Sequence, residues 1–146
     1  MSYQRLAFSI VVPGEPVTWK RARRGPGHSY TDPADAAHRE KIRAYARNAG
    51  IRQPFVGRVR LDALFFTALD PLDPRVGDLD NYEKAVKDAL QGIAFANDRQ
   101  VCEGEKLKDQ DAARPRTEIR VVSLVEEADR PITVEEAMDK WDRRSA

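Results

Sequence analysis

Two aspartates separated by one leucine, Asp78 and Asp80, stand just before a segment with helical periodicity. In extended backbone, side chains two residues apart project to the same side, so we expect both carboxylates to face one ion while Leu79 anchors in the core. Mg²⁺ and Mn²⁺ prefer hard oxygen ligands, usually a few carboxylates completed by water and a substrate phosphate. The pattern therefore predicts a divalent-metal site at this point of the chain.

A third candidate carboxylate belongs to Asp98. It follows the predicted helix and the turn GIAFAN, and we expect that turn to bring it alongside the first pair. Three carboxylates repel one another strongly unless a cation neutralises them, which favours a metal site over a structural cluster. Lys84, one helical turn after Asp80, is expected on the polar face of the helix. There its ammonium group can stabilise negative charge on a phosphodiester or position the attacking water.

The same residues also admit ordinary structural roles. Asp80 and Glu83 have the spacing of a capping box, in which Asp80 does no more than cap the helix. Lys84 beside Asp80 also has the spacing of a weak, exposed ion pair. Asp-x-Asp pairs are common in loops, and this chain carries another at Asp109 and Asp111. Short motifs often match by chance, so spacing alone leaves both interpretations open.

Charge is unevenly distributed along the 146 residues, although the formal net charge is only +1. Residues 1–60 contain 12 Lys and Arg against 4 Asp and Glu, whereas residues 61–146 contain 13 against 20. A basic half suits phosphate and an acidic half suits cations, although mutual attraction of the halves explains the asymmetry equally well.

The strongest basic cluster lies in a stretch rich in Pro and Gly, residues 13–33, which we predict to be a long loop. We expect it to contact DNA phosphates, and the alternative is a solvated basic loop. Its four candidate DNA-binding residues are Lys20, Arg21, Arg23 and Arg24.

The spacing of apolar residues predicts strands near 6–12, 59–69, 100–108 and 116–125, and helices near 33–50, 80–92 and from 133 onwards. This order indicates an α+β fold in two layers, with helices packed on a mixed β-sheet. The length fits a single domain, residues 1–146, in which 126–146 form a C-terminal helical extension. Thr133 and Glu136 fit a capping box at its start, and Met138 and Trp141 are expected to pack against the domain or a partner.

Composition is that of a globular protein, with 41% hydrophobic and 34% charged residues, and no apolar run approaches the length of a bilayer span. The single cysteine, Cys102, cannot form an internal disulfide, so we expect a cytoplasmic protein. We predict that Cys102 is a buried strand residue. His28 and His38 lack metal-ligand spacing and are expected at the surface.

The central motif resembles the signature of the RusA-type Holliday junction resolvases (crossover junction endodeoxyribonucleases), in the residues DLDNYEKAVKDALQG and NDRQV. The shared pattern is Asp-Leu-Asp-Asn, a Lys four residues after the second Asp, an Asp-Ala-Leu helix end and an acidic pair before a Gln. The family's Pro-rich basic loop is similar to PGEPVTWKRARRGPGHSYTDP. Two departures are Asn97, which stands where an acidic residue is common but can still offer a ligand oxygen, and Asp32, which replaces the usual small step before Pro33.

The resemblance runs from the first strand to about residue 108 and implies that Asp78, Asp80 and Asp98 bind Mg²⁺, for which Mn²⁺ can substitute. It implies that Lys84 is needed for cleavage. It also implies a homodimer that makes paired nicks across a four-way DNA junction, in DNA recombination and repair. Two other functions stay open: a non-catalytic protein that binds branched DNA through the basic loop alone, and a nuclease of flaps or single strands.

Overall fold

The computed structural model describes residues 7–18, 23–25, 28–30 and 33–124, together with residues 135, 138, 139 and 142. The strands are β1 (Ala7–Pro13), β2 (Arg23–Gly25), β3 (His28–Tyr30), β4 (Val59–Thr67), β5 (Val101–Glu103), β6 (Lys106–Gln110) and β7 (Arg116–Ser123). Helix α1 (Pro33–Asn48) precedes β4, whereas α2 (Leu79–Leu90) and a 3₁₀ helix (Asp98–Gln100) lie between β4 and β5. The predicted α+β class is confirmed, and the first strand and both central helices begin and end within two residues of their predicted bounds.

Five strands form one mixed sheet in the order β1-β7-β4-β5, with β6 also paired to β4. β7 runs antiparallel to both β1 and β4. β5 and β6 run parallel to β4, the first beside its amino end and the second beside its carboxyl half. Parallel pairing requires a crossover connection, and α2 provides it. The two ends of α2 therefore lie at opposite ends of the parallel strands.

One face of the sheet is covered by the helices. α1 contacts β1 and α2 contacts β4 and β6, and the helices pack against each other. Burial alternates along β1 and β4, as the two-residue repeat of a strand with one covered face requires. Each large apolar side chain buried in this layer, such as Phe65 or Ile42, contributes roughly 1.5–3 kcal/mol through the hydrophobic effect. The helices are thereby fixed on the sheet.

The basic stretch predicted as a continuous loop contains a short hairpin. β2 pairs antiparallel with β3, so that Arg23 lies opposite Tyr30 and Gly25 opposite His28. The two intervening residues, Pro26 and Gly27, are of types that favour turns and hence such a hairpin, and the loop prediction overlooked that signal. Lys20 and Arg21 lie outside the described residues, and only the backbone is described for the basic residues of β2.

Cys102 lies on β5, but its side chain is exposed, so the prediction that it is buried is wrong. β5 is the short edge strand of the sheet, and no further strand pairs with its outer side in the described part of the chain. An edge strand leaves some side chains open to solvent even when the strand itself is correctly predicted.

The C-terminal extension is described at four positions only, and all four are helical. Met138 is 59% exposed. Thr133, Glu136 and Trp141, on which the predicted helix start and part of the packing rested, lie outside the described residues. Among the residues that are described, no helix has the length and apolarity needed to cross a membrane.

His38 on α1, which was expected at the surface, is half-buried. Burial lowers the pKa of its imidazole below the ordinary value, and the charge of Lys41 lowers it further, against an opposing effect of Asp35. The unfolded chain therefore binds a proton more readily than the folded protein, so the free energy of unfolding decreases as the pH falls through the ordinary histidine pKa.

We expect this free energy, measured by urea denaturation, to decrease between about pH 7.5 and pH 5.5. The decrease should be smaller in His38→Gln, which cannot titrate. The same pH dependence in both proteins contradicts the role given to His38.

Candidate functional site

Asp78 and Asp80 lie at the start of α2, next to the carboxyl end of β4. Asp78 is the N-cap residue, with extended backbone (φ −71°, ψ 144°), yet its carboxylate makes no capping hydrogen bond. Both aspartates are exposed, whereas Leu79 between them packs against the core as predicted. Two negative side chains therefore stand at the positive end of the helix dipole with solvent before them.

The alternative in which Asp80 merely caps the helix is wrong, because α2 begins at Leu79 and its N-cap is Asp78. The prediction that the backbone is extended as far as Asp80 is wrong for the same reason. Asp80 is the second residue of the helix, so strand-like alternation does not place the two carboxylates. They share the amino end of a helix instead.

The backbone of Gly77, the residue before this pair, is fixed by two hydrogen bonds, one at its amide and one at its carbonyl. Its amide donates to the Tyr82 hydroxyl at 3.0 Å, and the Tyr82 ring stacks on Phe65 with 5.2 Å between ring centroids. Its carbonyl accepts from Lys108 Nζ at 3.1 Å, and the same ammonium group donates to the carbonyl of Pro71 at 3.0 Å. The backbone that leads into Asp78 is thus fastened to both α2 and β6.

Lys106 of β6 is the partner of Asp80. Its Nζ lies 2.6 Å from Asp80 Oδ1 and 3.0 Å from Glu83 Oε2, and Lys87 pairs with the same glutamate at 2.6 Å. The hydrogen bond that Lys106 donates to Asp80 lowers the pKa of the Asp80 carboxyl and raises the pKa of the Lys106 ammonium group, so it stabilises the charged form of both. The Asp80 side chain is 85% exposed, so the pair adds little stability and the carboxylate can exchange one cation for another.

Lys84 lies on the exposed side of α2, one turn after Asp80, as predicted. Asp88, one turn further along, approaches Arg39 of α1 at 3.5 Å. The position of Lys84 is compatible with its predicted role, which stays a prediction.

Asp98 opens the 3₁₀ helix, at the opposite end of α2 from Asp78 and Asp80. The 12 residues of α2, at about 1.5 Å each, separate those ends by roughly 18 Å. The 3₁₀ helix that Asp98 opens leads directly into β5, which pairs with the amino end of β4, whereas β6, which begins at Lys106, lies beside the carboxyl half of β4. The expected convergence is not found within one chain, because a crossover returns the chain to the far end of the parallel strands.

The arrangement of possible metal ligands within one chain agrees with this separation of Asp98 from Asp78 and Asp80. Within the described part of the chain, no three His, Cys, Asp or Glu side chains are arranged to hold a metal ion. Asp78 and Asp80 nevertheless fit a hard divalent cation by donor type, since both are exposed carboxylates and the Asp78 carboxylate is not used as a helix cap. They are the residues of one chain that would hold Mg²⁺ or Mn²⁺.

Gln100 fixes the turn that carries Asp98, a role that sequence reasoning missed. Its Oε1 accepts from the amides of Ala96 and Asn97 at 2.9 and 3.1 Å, and its Nε2 donates to two carbonyls of the segment before β4, each at 2.8 Å. The Asn97 side-chain oxygen accepts from a backbone amide of the 3₁₀ helix at 2.9 Å. A Gln three residues after an Asn is the spacing of a capping box, which is the signal that predicts this arrangement.

Comparison with known protein families shows that one family model covers all of these features. The model of the family described as Endodeoxyribonuclease RusA matches residues 13–122, which include the basic hairpin, the start of α2 and the Asp98 turn. No match is found among curated proteins. A family match that covers most of the chain shows that this protein belongs to the RusA endodeoxyribonuclease family.

Proposed function

We propose that the protein is a Mg²⁺-dependent endodeoxyribonuclease that resolves four-way (Holliday) DNA junctions by paired phosphodiester hydrolysis. The observation that carries the proposal is the family match over residues 13–122, since membership implies endodeoxyribonuclease activity on such junctions. Beyond what the family match supports, we propose metal dependence, a cytoplasmic location and roles in DNA recombination and repair.

The exposed pair at the start of α2 supports metal dependence. When bound, Mg²⁺ or Mn²⁺ supplies a positive charge that polarises a phosphate oxygen and makes a bound water more acidic. Asp78 and Asp80 would hold the ion through carboxylate oxygens, and the hydrogen bond from Lys106 lowers the pKa of Asp80 below its ordinary value. Lys84, one turn away, would add positive charge where a phosphodiester becomes more negative in its transition state.

A homodimer is proposed for two reasons. If Asp98 binds the same ion, it must belong to a second chain, because about 18 Å separate the ends of α2 within one chain. Twofold symmetry also supplies two equivalent sites, as paired cuts in strands of matching polarity require. The proposed ligand set is therefore Asp78 and Asp80 of one protomer with Asp98 of the partner subunit.

DNA binding is assigned to the basic stretch that contains β2. Lys20, Arg21, Arg23 and Arg24 would contact phosphates, because guanidinium and ammonium groups recognise the backbone without reading sequence. A dimer carries two such stretches, so the affinity for junction DNA should fall steeply as the salt concentration rises.

A cleavage assay with a panel of DNA substrates tests the proposal. A synthetic four-way junction, a flap, a duplex and a single strand of the same sequence are incubated with the protein in Mg²⁺ and, separately, in EDTA. We expect paired nicks in the junction in Mg²⁺ alone, and much slower cleavage of the other substrates. Junction binding without cleavage in Mg²⁺ or Mn²⁺ indicates a non-catalytic binding protein, and preferred cleavage of flaps or single strands indicates the third function.

A further inference from the structure

Two lysines of the edge strand β6 face the start of α2. Lys106 and Lys108 are two residues apart on a strand, so they project from the same face of the sheet. Their partners in the register with β4 are Ala63 and Phe65, which are both buried. That face is the one covered by α2, so both ammonium groups lie beneath the segment that carries the proposed metal ligands.

Lys108 links two points of the loop between β4 and α2. Its Nζ donates to the carbonyls of Pro71 and Gly77, which are six residues apart. Gly77 is bonded directly to Asp78, so this ammonium group acts on the backbone that sets the position of the first carboxylate. The side chain of Lys108 is only partly exposed, which protects these hydrogen bonds from competition with water.

Lys106 acts on the second carboxylate directly. Its Nζ contacts both Asp80 and Glu83, the latter being its less exposed partner, with 19% side-chain exposure against 85% for Asp80. The glutamate can therefore retain the ammonium group when Asp80 turns towards another cation.

We propose that Lys106 and Lys108 are positioning residues for the metal site: Lys108 fixes the backbone that carries Asp78, and Lys106 holds the Asp80 carboxylate until a divalent cation replaces it. This inference rests on the proposed function. It assigns opposite effects to two neighbouring lysines, since removal of Lys108 loosens a ligand whereas removal of Lys106 removes a competing positive charge.

Calorimetric titration of the DNA-free protein with Mn²⁺ tests the proposal without reference to activity. We expect Lys108→Met to weaken Mn²⁺ binding by about 10- to 100-fold, the usual effect of losing a group that orients a metal ligand. Lys108→Arg, which keeps a donor, should recover much of that loss. Lys106→Met should bind Mn²⁺ several-fold more tightly than the wild type.

Lys87→Met is the matched control for charge. Lys87 pairs with Glu83 in the same network, so its removal changes the net charge equally while leaving the direct partner of Asp80 in place. We expect its Mn²⁺ affinity to stay within about twofold of the wild type, as for a charge that acts through solvent.

The possible outcomes distinguish failure of the proposed metal site from failure of the roles proposed for the two lysines. A wild-type protein that binds no Mn²⁺ overturns both the proposed metal site and this inference. Wild-type binding with unchanged affinity in Lys106→Met and Lys108→Met overturns the inference alone, as does an equal gain in Lys87→Met and Lys106→Met. If Lys108→Met does not fold, as judged by circular dichroism, a Lys106→Met variant that binds no more tightly than the wild type still overturns the inference.

Discussion

Replacement of Asp78 by Asn is expected to slow cleavage of a four-way junction by at least about 100-fold, because even residues that merely orient a metal ligand typically contribute 10- to 100-fold. The fold should be preserved, since Asn is a favourable N-cap residue and the Asp78 carboxylate makes no capping hydrogen bond. Junction binding should be unchanged or tighter, because the change removes a negative charge that repels DNA. Single-turnover cleavage in Mg²⁺ and gel-shift titration in EDTA measure the two effects separately.

The matched control is Asp88→Asn, on the same helix. Asp88 is exposed and lies near Arg39 of α1, away from the start of α2. Its replacement changes the charge by the same amount, so cleavage should stay within a few-fold of the wild type. A normal cleavage rate in Asp78→Asn, or equal losses in the two variants, contradicts the assignment of Asp78 as a ligand.

Replacement of Gly104 by Ala is expected to cause a large decrease in the free energy of unfolding. Gly104 joins β5 to β6 with φ +149°, and a Cβ atom there would lie 1.7 Å from the carbonyl oxygen of Leu61 on β4. Because the obstacle is backbone, β6 must separate from β4 to relieve the clash. We expect a loss of about 3 kcal/mol or more in the free energy of unfolding, at the upper end of overpacking effects, measured by urea denaturation.

Gly50→Ala is the control for backbone conformation without a clash. Gly50 also has positive φ, at +91°, but apart from its own neighbours in the chain no atom of the described residues lies within 4 Å of a Cβ built there. Its replacement should therefore cost only the intrinsic penalty of that conformation, about 1–2 kcal/mol. If Gly104→Ala is no more destabilising than Gly50→Ala, the close approach of β4 to the β5–β6 junction is not a constraint on the fold.

Local periodicity predicted most of the elements because their buried faces repeat at the spacing of the backbone. Tyr82, Val86, Ala89 and Leu90 occupy positions i, i+4, i+7 and i+8, which share one face of a helix, and all four are buried on α2. The start of the helix was also predictable to within one residue, which placed Asp78 and Asp80 together at its amino end. Leu79 between them anchors in the core, so their exposure to solvent followed from the apolar pattern.

The place of Asp98 was not predictable from such patterns, because it depends on which strands pair and in which direction. A strand, a helix and a second strand that lies parallel to the first form a crossover, so residues before and after the helix lie at opposite ends of the strands. Local periodicity carries no information on parallel or antiparallel pairing. The separation of Asp98 from Asp78 and Asp80 in one chain follows from that pairing.

The contacts of Lys106 and Lys108 with the start of α2 and the loop before it were not predicted, for a related reason. In the sequence they alternate with Leu107 on a short strand, a pattern that favours an exposed polar face. In the structure the lysines lie on the covered side and Leu107 is 42% exposed. β6 is an edge strand under the start of a helix, where long side chains can reach carbonyl and carboxylate groups instead of filling the core.

The proposed metal site requires Asp78, Asp80 and Asp98 to bind one divalent cation together. Diffraction from crystals of the protein grown with Mn²⁺, recorded at the manganese absorption edge, shows where the ion binds. We expect an anomalous peak within about 2.5 Å of carboxylate oxygens of Asp78 and Asp80 in one protomer and of Asp98 of the partner subunit. Manganese bound elsewhere with none at the start of α2, or a dimer that keeps Asp98 remote from that ion, contradicts the proposed site.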